Sequence, residues 1–280
     1  MENVFVTKEI KTEPIWDEME VDSKDWPPRT ASYLDGSQYR EEQDFFMKEI
    51  KTIHPDQREE FERGDTLLSK VENPIKEIVN VSNIPISLND LRTPNGLQWL
   101  NDNIINAYLQ MICTRSAKDP KYPKVHFFNT FFFNNVASKG YSSVQRWTRK
   151  VDIFAHDIIL IPIHIGLHWS MTVIDIPEKK MELYDSLYDG NVQVLTLLRN
   201  YMNSESLDKK KTPFDFSGWT IRPMNNIPRQ QNESDCGVFS CQFGEFASRR
   251  AAPQFSQSDM PYYRQRMVYE IFSQKLMTSI

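Results

Sequence analysis

The chain has 280 residues, which at roughly 150 residues per domain fits one large domain with an appendage or two small domains. Its 40% hydrophobic content is ample for a core and its nine Gly exclude a collagen-like or Gly-rich architecture, while the formal charge of −5 argues against a dedicated nucleic-acid binder, whose footprint would be a basic stripe. The longest apolar run, Ile158 to Ile163, is interrupted by Pro162 and falls far short of the ~20 residues of a membrane span, and the first twenty residues lack the apolar stretch of a secretory signal. A soluble, intracellular protein without membrane insertion is therefore expected. Three widely spaced cysteines, Cys113, Cys236 and Cys241, suit neither a disulfide framework nor a C-x-x-C metal site, and no metal is expected.

Residues 1–40 are rich in acids, Pro and Ser/Thr with sparse apolar residues, and read as a disordered tail. Within it, Ile10-Lys11-Thr12-Glu13 fits the hydrophobic-Lys-x-Glu pattern of SUMO acceptor lysines, a short pattern that chance also produces. Residues 41–79 read as a helical lead-in: from about Tyr39 to Lys70 the composition is helix-friendly, with Phe45, Phe46, Ile50 and Ile53 on one face, and Pro74, Pro85 and Pro94 then punctuate the chain. Residues 80–280 are the main domain. A helix is predicted over Leu97–Cys113, with Leu100, Ile104, Ala107, Tyr108 and Met111 on one face and Asn101 or Asp102 as cap. The Phe-rich segment Val125–Val136 suits either a strand or a packed short helix. Three neighbouring antiparallel strands follow at Asp157–His164, Leu167–Ile176 and Met181–Asp185, broken by Gly166 and by Pro177-Glu178-Lys179-Lys180. A helix over Val192–Met202, a strand at Trp219–Arg222, a helix over Val238–Phe246 and a terminal helix over Tyr262–Leu276 complete an α+β chain without internal repeats.

Cys236 stands in the polar stretch Asn232-Glu233-Ser234-Asp235-Cys236-Gly237, immediately before an amphipathic helix. Unpaired N–H groups at a helix start favour thiolate over thiol, so a nucleophile could be made here, although a lone cysteine is more often an ordinary small buried residue. A thiol nucleophile needs a base and a group that orients that base. His168 sits in a strand whose neighbour ends at Asp185, and antiparallel pairing can bring the two together; His164 competes as base, and spacing alone does not choose between them. An oxyanion hole needs donors aimed at the developing charge, and the amide of Gln230 or Gln231 could join the Cys236 N–H.

Several motifs then fall in a specific order: Trp99-Leu100-Asn101-Asp102 with Ile104-Ile105-Asn106, Asn129-Thr130-Phe131-Phe132-Phe133, Arg146-Trp147-Thr148-Arg149-Lys150-Val151-Asp152, Pro162-Ile163-His164 with His168-Trp169, Tyr184-Asp185-Ser186, and Gln230 with Ser234-Asp235-Cys236-Gly237. Across residues 80 to 277 the chain resembles the catalytic domain of the SUMO-specific cysteine proteases, the sentrin-specific or Ulp-type family of the adenovirus-proteinase-like clan. The resemblance implies a papain-like, adenain-like fold with a central, mostly antiparallel sheet flanked by helices. It implies Cys236 as nucleophile, His168 as base, Asp185 as orienter and Gln230, in place of Gln231, as oxyanion donor. Trp99 and Trp169 match the walls of a narrow tunnel over the Gly-Gly tail of the substrate, and Asp102, Phe131, Arg146 and His164, with Arg149 in the same basic patch, match positions that touch the body of SUMO. The implied reaction is hydrolysis after the C-terminal Gly-Gly of SUMO, releasing it from lysine side chains and maturing its precursor, with no cofactor. SUMO and SUMO-conjugated proteins are the expected partners, a monomer the expected state, and the nucleus, extending to the cytoplasm, the expected location; Lys209-Lys210-Lys211 is a basic run that an exposed loop would explain equally.

Two departures stand out. Glu233 occupies a position where the family commonly has Gly, and a positive φ there would strain the oxyanion loop. Pro94-Asn95-Gly96 also differs from the usual run ahead of Trp99. The rival expectations are a deneddylase or deubiquitinase of the same clan, a catalytically weak SUMO-binding adaptor, and, more remotely, an acyltransferase.

Overall fold

The structure, a computed structural model, describes residues 77–277. The tail, its Lys11 motif and the lead-in helix lie outside these residues, except for the last part of the lead-in range: Glu77–Val79 belong to a strand, so the domain begins earlier than residue 80. That strand, β1 (Glu77–Val81), pairs antiparallel with β2 (Ile84–Ser87) through a turn in which Ser82 and Asn83 both take positive φ. Ser87 then caps a short helix, α1 (Leu88–Arg92), in a reciprocal capping box with Asp90.

The helix predicted from Leu97 starts five residues later. α2 spans Asp102–Lys118, because Asn101 turns its side chain onto the Ile104 N–H and caps the helix there. Leu97-Gln98-Trp99 are left outside the helix as a strap leading into it. The helix also outruns Cys113, since its last turn is held by polar contacts that apolar periodicity does not register: Arg115 bonds Glu245 and Ser248, and Ser116 bonds the Pro123 carbonyl. The Phe-rich segment divides into β3 (Val125–Phe127) and α3 (Phe132–Lys139), with Phe131 exposed at the junction.

Strands β4 (Ile158–Ile165), β5 (His168–Asp175) and β6 (Lys180–Tyr184) form the antiparallel meander expected, and β3 and β7 (Thr220–Pro223) join its two edges in parallel, giving the order β3-β4-β5-β6-β7. The parallel joins require crossovers; α3 lies on the first and α4 (Val192–Lys210) makes the second. Pro162, which cannot donate to a ladder, is accommodated because β3 ends at Phe127 and leaves β4 unpaired on that side.

Both faces of the sheet are covered, which is why β4 shows no apolar–polar alternation from Ile158 to Ile163. Ile158 and Leu160 point into a core shared with α2, α5 (Cys236–Ser248) and α6 (Met260–Ser273), whereas Ile159, Ile161 and Ile163 point into a second core with α3 and α4. α5 lies on β5, next to α2, so the helix headed by Cys236 is packed into the larger core. Among the described residues no helix is long and apolar enough to cross a membrane. Lys209 and Lys210 close the last turn of α4 and Lys211 caps it, and their ammonium groups bond Gln145, Asp152 and Asp208; the basic run is a helix end rather than a free loop.

Candidate active site

Cys236 is the first residue of α5, two residues earlier than its apolar pattern from Val238 suggests. The first intrahelical bond runs from Phe239 N–H to the Asp235 carbonyl, so the Cys236 N–H has no partner within the helix. The turn preceding it is built on Asn232, whose side-chain oxygen accepts the N–H groups of Ser234 and Asp235. Gly237 is needed for close approach rather than for unusual dihedrals: a Cβ there would lie 2.9 Å from Cβ and 3.1 Å from Cγ of Leu100. Gly237→Ala should therefore push the head of α5 away from Leu100 and lower stability by about 1–3 kcal/mol. An unchanged urea midpoint would show that the contact is soft.

The choice between His164 and His168 is made by the β4–β5 turn. Ile165 pairs with His168 across a two-residue loop, Gly166-Leu167, in which Gly166 takes φ of +62°. His164 therefore stands opposite Trp169, on the same face, and His168 falls on the other. Counting four residues along an unbroken strand would have put both histidines on one face; the reversal at Gly166 undoes that parity. His164 stacks on Trp169 with ring centroids 4.0 Å apart, and burial pushes its pKa below the ordinary value, with Asp102 opposing and His168 adding to the shift.

His168 opens β5, and Asp185 follows the last residue of β6. The register Met171 to Tyr184, continued by one step, sets Asp185 opposite Ser170, a diagonal neighbour of His168. The His168 Nε2 lies 2.8 Å from Asp185 Oδ1, and the ring also hydrogen-bonds Cys236, for which Nδ1 is the nitrogen left. Burial alone would lower the His168 pKa; the bonds to Asp185 and to Cys236 outweigh it and push the pKa up to about 9. Burial would conversely raise that of Asp185, and His168 with the N–H groups of Leu187 and Tyr188, 3.0 and 2.9 Å from Oδ1, holds it below the usual carboxylate value. Arg229 clamps the loop beyond, donating to the carbonyls of Asp185 and Tyr188 and to Asp189. Tyr188 sets its ring edge-on to His168 at 5.2 Å.

Gln230 and Gln231 separate clearly. Gln231 is exposed, whereas Gln230 is buried, its N–H on the Ser186 carbonyl, its Oε1 accepting from Ser186 Oγ at 2.6 Å and its Nε2 donating to the Asn232 carbonyl at 2.6 Å. One hydrogen of that Nε2 remains for a further acceptor. Glu233 does not take positive φ, so glutamate replaces the family's glycine without backbone strain. What the fold uses at this position is its carbonyl, which accepts the Trp99 indole N–H at 2.8 Å and which any residue supplies.

The two tryptophans differ. Trp99 is 46% exposed on its strap, and Trp169 is 4% exposed and part of the larger core. Asp102 starts α2 and is close enough to His164 to influence its charge. Phe131 is 55% exposed and positioned by an amide pair reaching from α2: Asn106 Oδ1 accepts the Thr130 N–H at 3.0 Å and its Nδ2 donates to Thr130 Oγ1 at 3.1 Å. Arg146 and Arg149 are exposed and line a shallow cleft with Gln145, Asp208 and Lys209, apart from the cysteine. Thr148 between them is buried against Glu205, so the segment is a fixed turn with outward cations. Among the described residues no cluster of His, Cys, Asp and Glu is arranged to hold a metal. Sequence reasoning missed the Ser186–Gln230 bond, the Arg229 clamp and the close approach at Gly237; it also missed Arg264, whose place on the apolar stripe Met260, Met267, Ile271 of α6 was a readable signal.

A thiol at the head of a central helix, facing an imidazole that a carboxylate holds from the next strand, defines a papain-like cysteine protease on this α+β scaffold. The chain belongs to the Ulp1 protease family: residues 98–276 match that family's C-terminal catalytic domain. It is 65% identical over 208 residues to a sentrin-specific protease of Caenorhabditis elegans, covering 74% of this chain and 30% of that protein. It is 36% identical over 235 residues to human sentrin-specific protease 2, covering 79% of this chain and 40% of that one. Both relatives are thus more than twice as long as the segment they share with the chain. Among solved structures, the C-terminal Ulp1 protease domain in complex with Smt3, the yeast ortholog of SUMO, superposes with a TM-score of 0.67 at 29% identity, covering 78% of this chain and 96% of that domain.

Proposed function

We propose that the chain is a SUMO-specific thiol endopeptidase and isopeptidase that cleaves after the C-terminal Gly-Gly of SUMO. The observation that carries the reading is the contact of His168 with both Asp185 and Cys236 at the head of α5. In this reading the Cys236 thiolate, its proton held on His168, adds to the glycine carbonyl, and the oxyanion is met by the Cys236 N–H and the remaining Nε2 hydrogen of Gln230. The C–N bond breaks as His168, protonated at neutral pH, delivers its proton to the departing amine, leaving a thioester. Water then adds to the thioester carbonyl as neutral His168 takes its proton. The C–S bond breaks, the SUMO carboxylate leaves, and the starting site is restored.

SUMO as the substrate is supported by the names of the two relatives and by the Smt3 complex of the Ulp1 domain. Trp99 and Trp169 are assigned to the Gly-Gly tail, and Asp102, Phe131, Arg146 and His164 to the folded body of SUMO; the exposure of Trp99, Phe131 and Arg146 supports this. SUMO and its conjugates are the partners of a monomer residing in nucleus and cytoplasm.

The test is a covalent one. The purified chain and its Cys236→Ala variant are mixed with SUMO, NEDD8 and ubiquitin carrying a C-terminal electrophile, and the adduct is followed by gel shift. An adduct with SUMO alone, absent from the variant, is expected. Labelling by NEDD8 or ubiquitin instead would overturn the substrate, and SUMO binding without an adduct would reduce the chain to an adaptor.

A further inference from the structure

The proposed nucleophile turn is tied to a residue twenty-eight positions downstream that touches none of the reacting groups. Arg264 lies on α6 with 3% exposure, so its charge is withdrawn from water and must be met inside the protein. It is met four times over. Nε donates to Asp235 Oδ1 at 2.6 Å and Nη2 to the Ser234 carbonyl at 2.8 Å, both in the turn that ends at Cys236. Nη1 donates to the carbonyl of Gln98 at 2.9 Å, on the strap that carries Trp99, and to that of Thr93 at 3.1 Å, at the end of α1. One planar guanidinium thus spans the two segments that flank the thiol.

The hydrogen bonds continue past it in both directions. Asp235 Oδ2 accepts from Asn232 Nδ2 and from Gln257 Nε2, each at 2.7 Å, and the Asn232 carbonyl accepts the Gln230 amide. A chain of contacts therefore runs Arg264, Asp235, Asn232, Gln230, ending at the side chain assigned to the oxyanion. On the other side the Trp99 indole N–H closes a ring by donating to Glu233, next to Ser234. Among the described residues neither Asp235 nor Arg264 hydrogen-bonds His168 or Asp185, so the network approaches the imidazole and its carboxylate only indirectly, through the bond of Gln230 to Ser186.

We infer that Arg264 is a positioning residue for catalysis: paired with Asp235, it holds the Gln230-to-Cys236 turn and the Trp99 strap in the register that the oxyanion and the extended substrate tail require. The inference rests on the protease reading above. A lysine cannot reproduce it, because an ammonium on a flexible stem lacks the planar fork that reaches acceptors on two segments at once. Asp235→Asn keeps the size of the side chain while removing its charge and turning one accepting oxygen into a donor, so that it cannot serve Arg264, Asn232 and Gln257 together.

The experiment compares wild type, Arg264→Lys and Asp235→Asn on a fluorogenic SUMO C-terminal amide, giving kcat and KM separately, and measures the pH dependence of Cys236 alkylation by iodoacetamide, all well below each Tm. Expected for both variants is a 10- to 100-fold fall in kcat with KM within about threefold, and an alkylation profile superimposable on wild type; the double variant should lose less than the product of the two single losses. Folded variants with kcat within twofold of wild type would overturn the inference. So would a shifted alkylation profile, which would place the effect on the thiol itself, or failure of both variants to fold, which would make the pair scaffold alone. Turnover by the wild-type chain separates the two layers: an inactive wild type overturns both readings, whereas an active wild type with unimpaired variants overturns only this one.

Discussion

Cys236→Ala should bind a SUMO-terminated amide and leave it intact, with turnover lower by on the order of 10⁴-fold or more, as is usual when the nucleophile of a cooperating set is removed. Alanine at the first position of α5 preserves the turn: the Asn232 contacts, the Arg264–Asp235 pair and the bond that begins the helix all belong to other residues. What is lost is one buried sulfur and its bond to His168. Affinity for the uncleaved substrate, read by titration calorimetry, should therefore stay within a few-fold of that for the product. Turnover by the variant above trace levels would remove Cys236 from its assigned role and leave the head of α5 without chemistry.

Asp185→Asn separates charge from geometry. Oδ1 of Asp185 accepts from His168, Leu187 and Tyr188, and an asparagine carbonyl can accept all three, so the loop should hold its shape. The imidazolium loses its counter-charge, and kcat should fall by about 10²- to 10⁴-fold, the range in which orienting carboxylates act. Stability supplies an independent reading. The His168 pKa is raised from 6.5 to about 9 in the folded protein, so the pairing contributes its full stabilisation below about pH 6.5 and loses it as pH rises through about 9. The urea-midpoint gap between wild type and Asp185→Asn should accordingly be widest near pH 6 and narrow progressively toward pH 9.5. Parallel curves across that window would mean that His168 does not hold its proton through Asp185.

The motifs that were legible in the sequence are those whose chemistry is local. The three strands of the meander follow from alternation and breakers, and Cys236 at a helix start follows from the polar run before it. Lengths were less legible, because α2 is begun by a side-chain cap at Asn101 and extended by Arg115 and Ser116, whose partners lie in other elements. The histidine choice depends on a single reversal at Gly166, which turns an even spacing into opposite faces. Gln230 could be told from Gln231 only by resemblance, since its distinguishing partner, Ser186, is forty-four residues away. The concern over Glu233 dissolves for a similar reason: the sequence exposes a side chain, but the fold uses the carbonyl.

The three thiols of the chain occupy unlike surroundings. Burial pushes Cys113 up to about 12 and Cys241 higher still, and neither is placed beside an imidazole, so at neutral pH both stay protonated and inert. Cys236 alone has such a neighbour. Thiol oxidation in this protein should consequently be single-sited: mild peroxide treatment would add oxygen to one cysteine sulfur and silence activity in proportion, with thiol reductants restoring function as long as oxidation has stopped at the sulfenic stage. Peptide mapping of the treated chain, which separates cysteine from methionine oxidation, should then find the fraction of oxidised Cys236 equal to the fraction of activity lost.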